Sequence, residues 1–253
     1  MRSSTLLLSS AALTLAACAP AQTQTTNPQT TPTQTPAPSA SGERPVLVTP
    51  PQISYTLAPV TPPSATPTPA DAWTTLPYLA DKPAASYAKP TNVIDPSKRY
   101  RAVLITSKGV VTIELNPLAA PLAVNSFVFL ALNHFYDGLT FHRVVAGFVA
   151  QGGDPTGSGV GGPGYTFTTE TSPFAKFDAA GVLGMARNAS RDSNGSQFFI
   201  TLAPASSLDG NYTVFGKVSS GQNTVDALTK TENGSAKSDI MLSVTIQTLS
   251  NGK

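Results

Sequence analysis

The alternation of apolar and polar residues predicts regular structure from about Arg99 onward. Residues 100–105 and 110–115 alternate or are rich in β-branched side chains, and a short turn ending at Gly109 separates them. Two such runs joined by a short glycine-containing turn are typical of a β-hairpin. The globular part of the chain is therefore expected to begin with two antiparallel strands.

The segment after the hairpin predicts a buried helix. Pro117 or Pro121 opens it, because the fixed φ of proline suits the first turn of a helix. Its apolar positions are numerous enough to indicate burial on most sides, and they are Leu122, Val124, Phe127, Val128, Leu130 and Ala131. A second helix is predicted over residues 223–230, and the alternation over residues 240–246 predicts a closing strand.

Short apolar segments separated by glycines fill the region between the two helices. They centre on Phe141, Phe148, Phe167, Val182 and residues 198–202. Many short strands with only two helices favour a β-barrel or β-sandwich over repeated βαβ units.

The first 70 residues have a different composition. They hold only three of the 30 charged residues, namely Arg2, Glu43 and Arg44, and 13 of the 23 prolines lie between Pro20 and Pro69. A stretch of Pro, Thr, Gln, Ala and Ser cannot bury enough apolar surface to offset the entropy of ordering a chain. We therefore predict a disordered tether over residues 18–70.

Residues 71–96 are more apolar than a tether requires. Trp73, Leu76, Tyr78 and Tyr87 are among them. We expect this extension to pack on the domain that follows, which the pattern places at residues 97–250.

The extreme N-terminus is typical of a secretory signal of residues 1–17. After Arg2 the apolar run 5–17 is shorter than the about 20 residues of a membrane-spanning helix. It ends in Leu-Ala-Ala followed by Cys18, which resembles the bacterial lipobox. That resemblance implies that Cys18 is acylated and anchors an extracytoplasmic lipoprotein to a membrane; an ordinary signal peptide with a chance cysteine is the alternative.

Charge and residue usage exclude several classes of function. The chain has 16 basic and 14 acidic residues without a run of like charge, which argues against a nucleic-acid partner. One cysteine excludes an intramolecular disulfide and a cysteine-rich zinc site, and two histidines make a histidine-based metal site unexpected. We expect no metal or cofactor, and we expect His134 and His142 to make structural hydrogen bonds.

A formal dinucleotide-binding pattern, G-x-G-x-x-G, occurs at residues 157–162. Pro163 and Gly164 follow it where a helix would have to begin in order to receive a pyrophosphate. We therefore interpret these residues as a flexible loop.

Three long motifs carry a family resemblance. Residues 141–154 (FHRVVAGFVAQGGD), 195–200 (GSQFFI) and 208–218 (LDGNYTVFGKV) resemble the cyclophilin family of peptidyl-prolyl isomerases, and the resemblance extends over residues 99–247. It implies a mainly β fold, a closed antiparallel eight-stranded β-barrel capped by two α-helices. It also implies cis-trans isomerisation of Xaa-Pro bonds in proline-containing polypeptides, here in extracytoplasmic proteins as an aid to folding.

The resemblance implies a role for individual residues. Arg143 matches the catalytic arginine, which would stabilise the prolyl nitrogen lone pair as conjugation is lost, and Gln151 matches a residue that binds substrate backbone and helps to orient that arginine. The expected cup for the proline ring consists of Phe148, Val149, Phe199 and Leu208, with Tyr212 at its rim. The expected groove for the peptide is lined by Ala186, Asn188 and Gln197.

Departures from the family pattern concern ligand choice. Ser207 stands where many eukaryotic members have a Trp that contacts cyclosporin, which puts tight binding of that drug in doubt. The alternative function is an envelope module that binds proline segments without turnover; a loss of Arg143 or Gln151 would favour it, and both are present. We expect a monomer, and the prolines of the tether are themselves candidates to occupy the groove.

Overall fold

A computed structural model describes residues 72–231 and 237–249, all of which belong to one compact unit. The predicted signal, the lipidated Cys18 and the tether lie outside these residues. The described elements are, in chain order, β1 (Trp73–Thr75), β2 (Tyr100–Thr106), β3 (Gly109–Leu115), α1 (Pro121–Leu132), β4 (Arg143–Val145), β5 (Val149–Gly152), β6 (Val182–Met185), β7 (Phe198–Thr201), a 3-10 turn (Ser206–Leu208), β8 (Val214–Ser220), α2 (Gln222–Asp226) and β9 (Met241–Leu249).

The strands form one antiparallel sheet, so the fold is mainly β with two helices. Its hydrogen-bonded order is β1-β9-β2-β3-β8-β6-β7-β5-β4. Within the described residues this gives nine strands where eight are predicted, and the order has two ends instead of closing on itself. The additional strand is β1, which lies in the extension and pairs with the end of β9.

The predicted hairpin is confirmed as β2 and β3. Tyr100 pairs with Leu115 and Thr106 with Gly109, so every residue of one strand has a partner in the other. Alternate side chains of β2 are buried, as the period of two in the sequence requires. These strands present Leu104 and Ile113 to the core, where both are fully buried.

Helix α1 begins at Pro121 and fills the core beside the sheet. Nine of its twelve residues are buried, and Phe127 packs edge-on against Phe198 of β7 at 5.5 Å between ring centroids. Ala120, which precedes the helix, provides no side-chain cap. The carboxylate of Glu170 takes that role instead and accepts hydrogen bonds from the backbone N–H groups of Leu122 (3.0 Å) and Ala123 (2.9 Å).

Helix α2 is shorter than predicted. The sequence predicts residues 223–230, but the helix ends at Asp226 because the carboxylate of Asp239 accepts the N–H of Thr229 at 2.7 Å. That contact removes the donor that would continue the helical ladder. Strand β9, in contrast, runs beyond the predicted residue 246 to Leu249. Strand β1 pairs with it up to Leu249 and β2 up to Thr248.

Residues 72–96 lie against the body of the fold. Trp73 pairs with Leu249, and the Arg101 guanidinium lies 4.3 Å from the Trp73 ring centroid, a cation–π contact. Leu79 donates its N–H to the carbonyl of Leu132 at 2.7 Å.

The segment that leads into β4 contacts the segment that leads into β9. Thr140 and Ile240 form an isolated antiparallel bridge. Beside it, Phe141 donates its N–H to the backbone carbonyl of Asp239 at 2.9 Å, and Gly138 donates its N–H to that of Met241 at 2.7 Å. Over the described ranges 72–231 and 237–249, no helix is long and apolar enough to cross a membrane.

Candidate active site

Three neighbouring strands bring the predicted catalytic residues together. Arg143 of β4 pairs directly with Gln151 of β5, and Gln151 pairs with Phe199 of β7. Directly opposed residues of antiparallel strands project to the same face. Three residues separated by up to 56 positions in sequence thus stand side by side.

A cavity of about 230 Å³ opens on this face. Its lining contains eight of the ten predicted catalytic and substrate-binding residues together with Arg187; the predicted ones are Arg143, Phe148, Val149, Gln151, Ala186, Phe199, Leu208 and Tyr212. The volume is below the about 300–1,000 Å³ usual for pockets that take drug-sized ligands. It suits a single compact apolar side chain.

Aromatic packing shapes the floor of this cavity. Phe199 is 4 % exposed, stacks on Phe177 at 5.4 Å between centroids, and meets the edge of Tyr212 at 5.9 Å. The neighbouring strand, β6, requires a glycine at position 184, because a Cβ there would lie 2.5 Å from Cζ of Phe199 and 2.8 Å from Cε1 of Phe177. Gly184 thus lets two rings stack where a larger residue would push Phe199 into the cavity.

The Arg143 side chain is exposed at the mouth of the cavity. Its guanidinium carbon lies 6.0 Å from the ring centroid of Phe148. Across residues 72–231 and 237–249, no side chain or carbonyl hydrogen-bonds or pairs ionically with this guanidinium. Its N–H donors therefore remain available to a ligand.

Gln151 is held by another glutamine. Its Nε2 donates to Oε1 of Gln197 at 2.9 Å. Gln151 is linked to Arg143 by the backbone pairing of β4 with β5. Nε2 of Gln197 in turn donates to the carbonyls of Gly159 (3.0 Å) and Gly161 (2.8 Å). The two amides connect the floor of the site to residues 159–165, here called the glycine-rich loop.

A second, larger cavity of about 640 Å³ adjoins the first. The two share Gln151, Ala186 and Arg187. The remaining predicted groove residues, Asn188 and Gln197, line the larger cavity, and the opposite wall is made by residues 159–165. All ten predicted site residues thus line one of two adjoining concavities.

Residues 157–162 form a loop, as predicted, but hydrogen bonds hold it in place, so the structure does not show the predicted flexibility. The carboxylate of Asp154, which is 1 % exposed, accepts the N–H groups of Thr156 (2.7 Å), Gly159 (2.5 Å) and Gly161 (3.2 Å). Burial alone would raise the pKa of Asp154, but the hydrogen bonds from Thr156, Gly161 and Gly159 bring its pKa below the ordinary value. The charged carboxylate is therefore the form that the loop requires.

Arg187 is a site residue that sequence reasoning missed. Its guanidinium carbon lies 4.7 Å from the ring centroid of Tyr212, Nε donates to the carbonyl of Asn211 and Nη1 to that of Asn188, each at 2.9 Å. Arg187 thus joins the rim of the small cavity to the wall of the large one. The available signal was its position, since it directly follows Ala186.

The prediction that both histidines make structural hydrogen bonds is half right. His134 bonds Asp137 through Nδ1 at 2.7 Å, but neither ring nitrogen of His142 has a hydrogen-bond partner among the described residues. Burial lowers the pKa of His142, the nearby Asp154 raises it and Arg143 lowers it, with a net shift downward. The ring of this half-buried residue is neutral, and both of its nitrogens are buried.

A comparison with known families agrees with this geometry. The family model described as "Cyclophilin type peptidyl-prolyl cis-trans isomerase/CLD" matches residues 101–251. That range contains every strand except the short β1 and the first residue of β2. It also contains all the residues that line the two cavities.

Individual relatives cover the same region. The chain is 52 % identical over 118 residues to peptidyl-prolyl cis-trans isomerase B of Bacillus subtilis (strain 168), which covers 47 % of this chain and 82 % of that protein. It is 49 % identical over 132 residues to peptidyl-prolyl cis-trans isomerase-like 1 of Rhizopus delemar, covering 51 % and 79 %. A crystal structure of a Cryptosporidium parvum cyclophilin type peptidyl-prolyl cis-trans isomerase, in the presence of the dipeptide Ala-Pro, aligns with a TM-score of 0.55 at 34 % identity over 58 % of this chain and 98 % of that one.

Proposed function

The chain belongs to the cyclophilin-type family of peptidyl-prolyl cis-trans isomerases and has their activity, and we propose that the small cavity beside Arg143 is where it acts. The observation that carries this assignment is the adjacency of Arg143, Gln151 and Phe199 across β4, β5 and β7. It places a cation, an amide and an aromatic floor around one compact apolar cup.

The reaction needs no nucleophile. Rotation about an Xaa-Pro bond meets a barrier of about 18–20 kcal/mol, which arises from conjugation between nitrogen and carbonyl, and no bond is made or broken. A catalyst has to bind the twisted amide more tightly than the planar one. Fixed hydrogen-bond donors that face the group whose charge changes on twisting achieve this.

Each part of the site supplies one of these contributions. Phe199, Val149 and Leu208 would hold the proline ring in the cup, so that the ring stays fixed while the preceding carbonyl rotates. The free guanidinium of Arg143 would donate to the prolyl nitrogen as its lone pair becomes localised. Gln151 would bind substrate backbone from the boundary between the two cavities.

The substrate is a proline-containing polypeptide. The Cryptosporidium structure was obtained with Ala-Pro present. We propose that Ala-Pro segments also fit this site, since Ala186 and the small cavity leave room for a small residue beside the proline ring. Residues farther along the peptide would then lie in the larger cavity.

Replacement of Arg143 tests the assignment. We expect Arg143→Ala to lower kcat/KM for an Ala-Pro peptide at least tenfold, equivalent to about 1.4 kcal/mol of transition-state stabilisation. The measurement is NMR exchange between cis and trans peptide, which requires no coupled protease, with circular dichroism to confirm the fold. Arg191→Ala is the matched control, because Arg191 is exposed and lines neither cavity. Undiminished exchange with Arg143→Ala would refute the role of this arginine.

We also propose that the sheet works as a closed barrel. The bridge between Thr140 and Ile240 and the hydrogen bonds beside it join the segment before β4 to the segment before β9. These contacts support closure between the two sides of the sheet. Such closure would hold β4, and with it Arg143, at a fixed angle to the cup.

We propose further that the enzyme is an extracytoplasmic lipoprotein. Support comes from the apolar run that ends at Leu-Ala-Ala-Cys18 and from the low charge of the residues after it. Several acyl chains anchor a protein far better than one, so the modified Cys18 would suffice without a basic membrane-binding surface. We expect Cys18→Ser to move the protein from the membrane fraction to the soluble fraction of the producing bacterium and to abolish labelling by a fatty-acid probe; retention of both in the variant would exclude this anchor.

A further inference from the structure

A segment that precedes the family domain reaches the wall of the larger cavity. Residues 84–94, here called the arm, lie outside the family match at residues 101–251. They nevertheless contact both helix α1 and the glycine-rich loop of residues 159–165. The arm therefore brings residues from outside the family domain to the wall of the larger cavity.

The contact between arm and loop is direct and close. Tyr87 donates its backbone N–H to the carbonyl of Pro163 at 2.7 Å. At the next residue, Gly164, a Cβ would lie 2.8 Å from the carbonyl oxygen of Tyr87 and 2.9 Å from Cβ of Ser86. Gly164 also has a φ of +96°, which side chains rarely adopt. The two backbones are thus packed without room for a side chain between them.

The arm is anchored to helix α1 and to Phe135, which follows that helix. The ring of Tyr87 meets the edge of Phe129 at 5.2 Å between centroids and packs on Phe135 at 6.2 Å. Asn125 of α1 accepts the N–H of Val93 at 2.8 Å and donates to the carbonyl of Thr91 at 3.0 Å. A segment held at several points to a buried helix can hold the loop in turn.

The loop is therefore held both from the site and from the arm. Gln197 binds the carbonyls of Gly159 and Gly161 from the site, and Tyr87 binds Pro163 from the arm. We infer that Tyr87 and the arm are positioning elements that fix the width of the larger cavity and thereby set the preference for residues that flank the proline. This inference rests on the proposed function, in which those residues lie in that cavity.

The test compares two substrates on the full-length protein. One is a minimal Ala-Pro peptide, and the other carries two bulky residues on each side of Ala-Pro. We expect Tyr87→Ala to raise KM for the long peptide at least fivefold while kcat/KM for the minimal peptide changes less than twofold. Both variants keep the backbone donor to Pro163, but only Tyr87→Phe keeps the ring that packs on Phe129 and Phe135. Tyr87→Phe should therefore retain the preference of the unaltered enzyme.

A second pair of variants leaves Tyr87 in place. Gly164→Ala pushes the loop away from the arm and should raise KM for the long peptide selectively. Gly138→Ala is its control, because Gly138 has a φ of +81° but nothing within 4 Å of an added Cβ, so it introduces similar backbone strain away from the arm. Both Gly→Ala variants should lose thermal stability, Gly164→Ala more because it adds a clash to the backbone strain, and only Gly164→Ala should raise KM for the long peptide.

The possible results separate the two claims. Equal changes for both peptides, or no change for either in Tyr87→Ala and Gly164→Ala, overturn the role of the arm while the isomerase assignment stands. Absence of isomerase activity in the unaltered chain on both peptides overturns the proposed function itself, and the inference with it.

Discussion

At the scale of single residues, Asp154 determines the shape of the site without lining it. One buried carboxylate accepts the N–H groups of Thr156, Gly159 and Gly161 and so folds the glycine-rich loop back on itself. Gly161 approaches so closely that a Cβ there would collide with the Asp154 carboxylate. The wall of the larger cavity thus depends on a charged group that lines neither cavity.

The charge of Asp154 leads to a pH-dependent prediction. Its folded-state pKa is lower than that of an unfolded aspartate, about 3.9, so its stabilisation is present above about pH 4 and is lost as pH falls through the folded-state value. An asparagine side chain has one oxygen that accepts hydrogen bonds, and its amide nitrogen, which only donates, would face backbone N–H groups. We expect Asp154→Asn to lower the free energy of unfolding by about 1.5–3 kcal/mol at pH 7 and by less at pH 3.

Urea unfolding of both proteins at the two pH values measures this difference. Asp192→Asn is the control, since Asp192 is exposed and its carboxylate makes no hydrogen bond or ion pair within the described ranges. A destabilisation of Asp154→Asn that is the same at pH 7 and pH 3 would show that the loss comes from packing and not from the charge.

Single residues also show what sequence reasoning can and cannot supply. Arg143 and Phe199 lie in long motifs, so the motif resemblance was enough to predict that they share a site. The partner of Gln151, in contrast, depends on a side-chain rotamer, and the unpaired nitrogens of His142 depend on which groups burial places around it. No pattern in the sequence indicates the partner of Gln151 or the unpaired nitrogens of His142.

At the scale of elements, the start of α1 shows how a local signal and a distant contact combine. Proline marks the first turn in the sequence, and the helix begins at Pro121 as one of the two predictions has it. Its capping carboxylate, Glu170, lies almost 50 residues later. Since an anion at a helix N-terminus is stabilising, this contact also fixes the loop that carries Glu170 against the helix.

The elements that were predicted well are those determined by their own pattern. Strands β2 and β3 alternate in part, are rich in β-branched side chains, and pair along their full length. The end of α2 and the pairing of β1 were not predicted in detail, because each depends on a contact with a residue distant in sequence. Asp239 accepts the N–H of Thr229 after α2, and Leu249 pairs with Trp73 of β1. The proposed closure of the barrel would depend likewise on the bridge between Thr140 and Ile240, which lie far apart in sequence.

At the scale of the whole molecule, the chain joins a proline-binding domain to a proline-rich segment. Residues 19–70 contain three Ala-Pro pairs, at positions 19–20, 37–38 and 58–59. These 52 residues would span roughly 160 Å as a polyproline II helix and nearer 40 Å as a flexible coil. Either length would be enough to reach the site of a domain of about 150 residues.

This arrangement predicts competition between the tether and external substrate. Attachment gives a tethered ligand an effective concentration of about a millimolar for a short flexible linker and less for a longer one. We expect deletion of residues 19–70 to lower the apparent KM for an Ala-Pro peptide about twofold with kcat unchanged, because an intramolecular competitor affects substrate binding and not the chemical step. A full-length variant with Pro20, Pro38 and Pro59 replaced by Ala keeps the length of the tether and should give the same decrease. If KM is unchanged in both, the tether does not enter the site; if it falls only in the deletion variant, the tether obstructs access to the site without being recognised there through its Ala-Pro pairs.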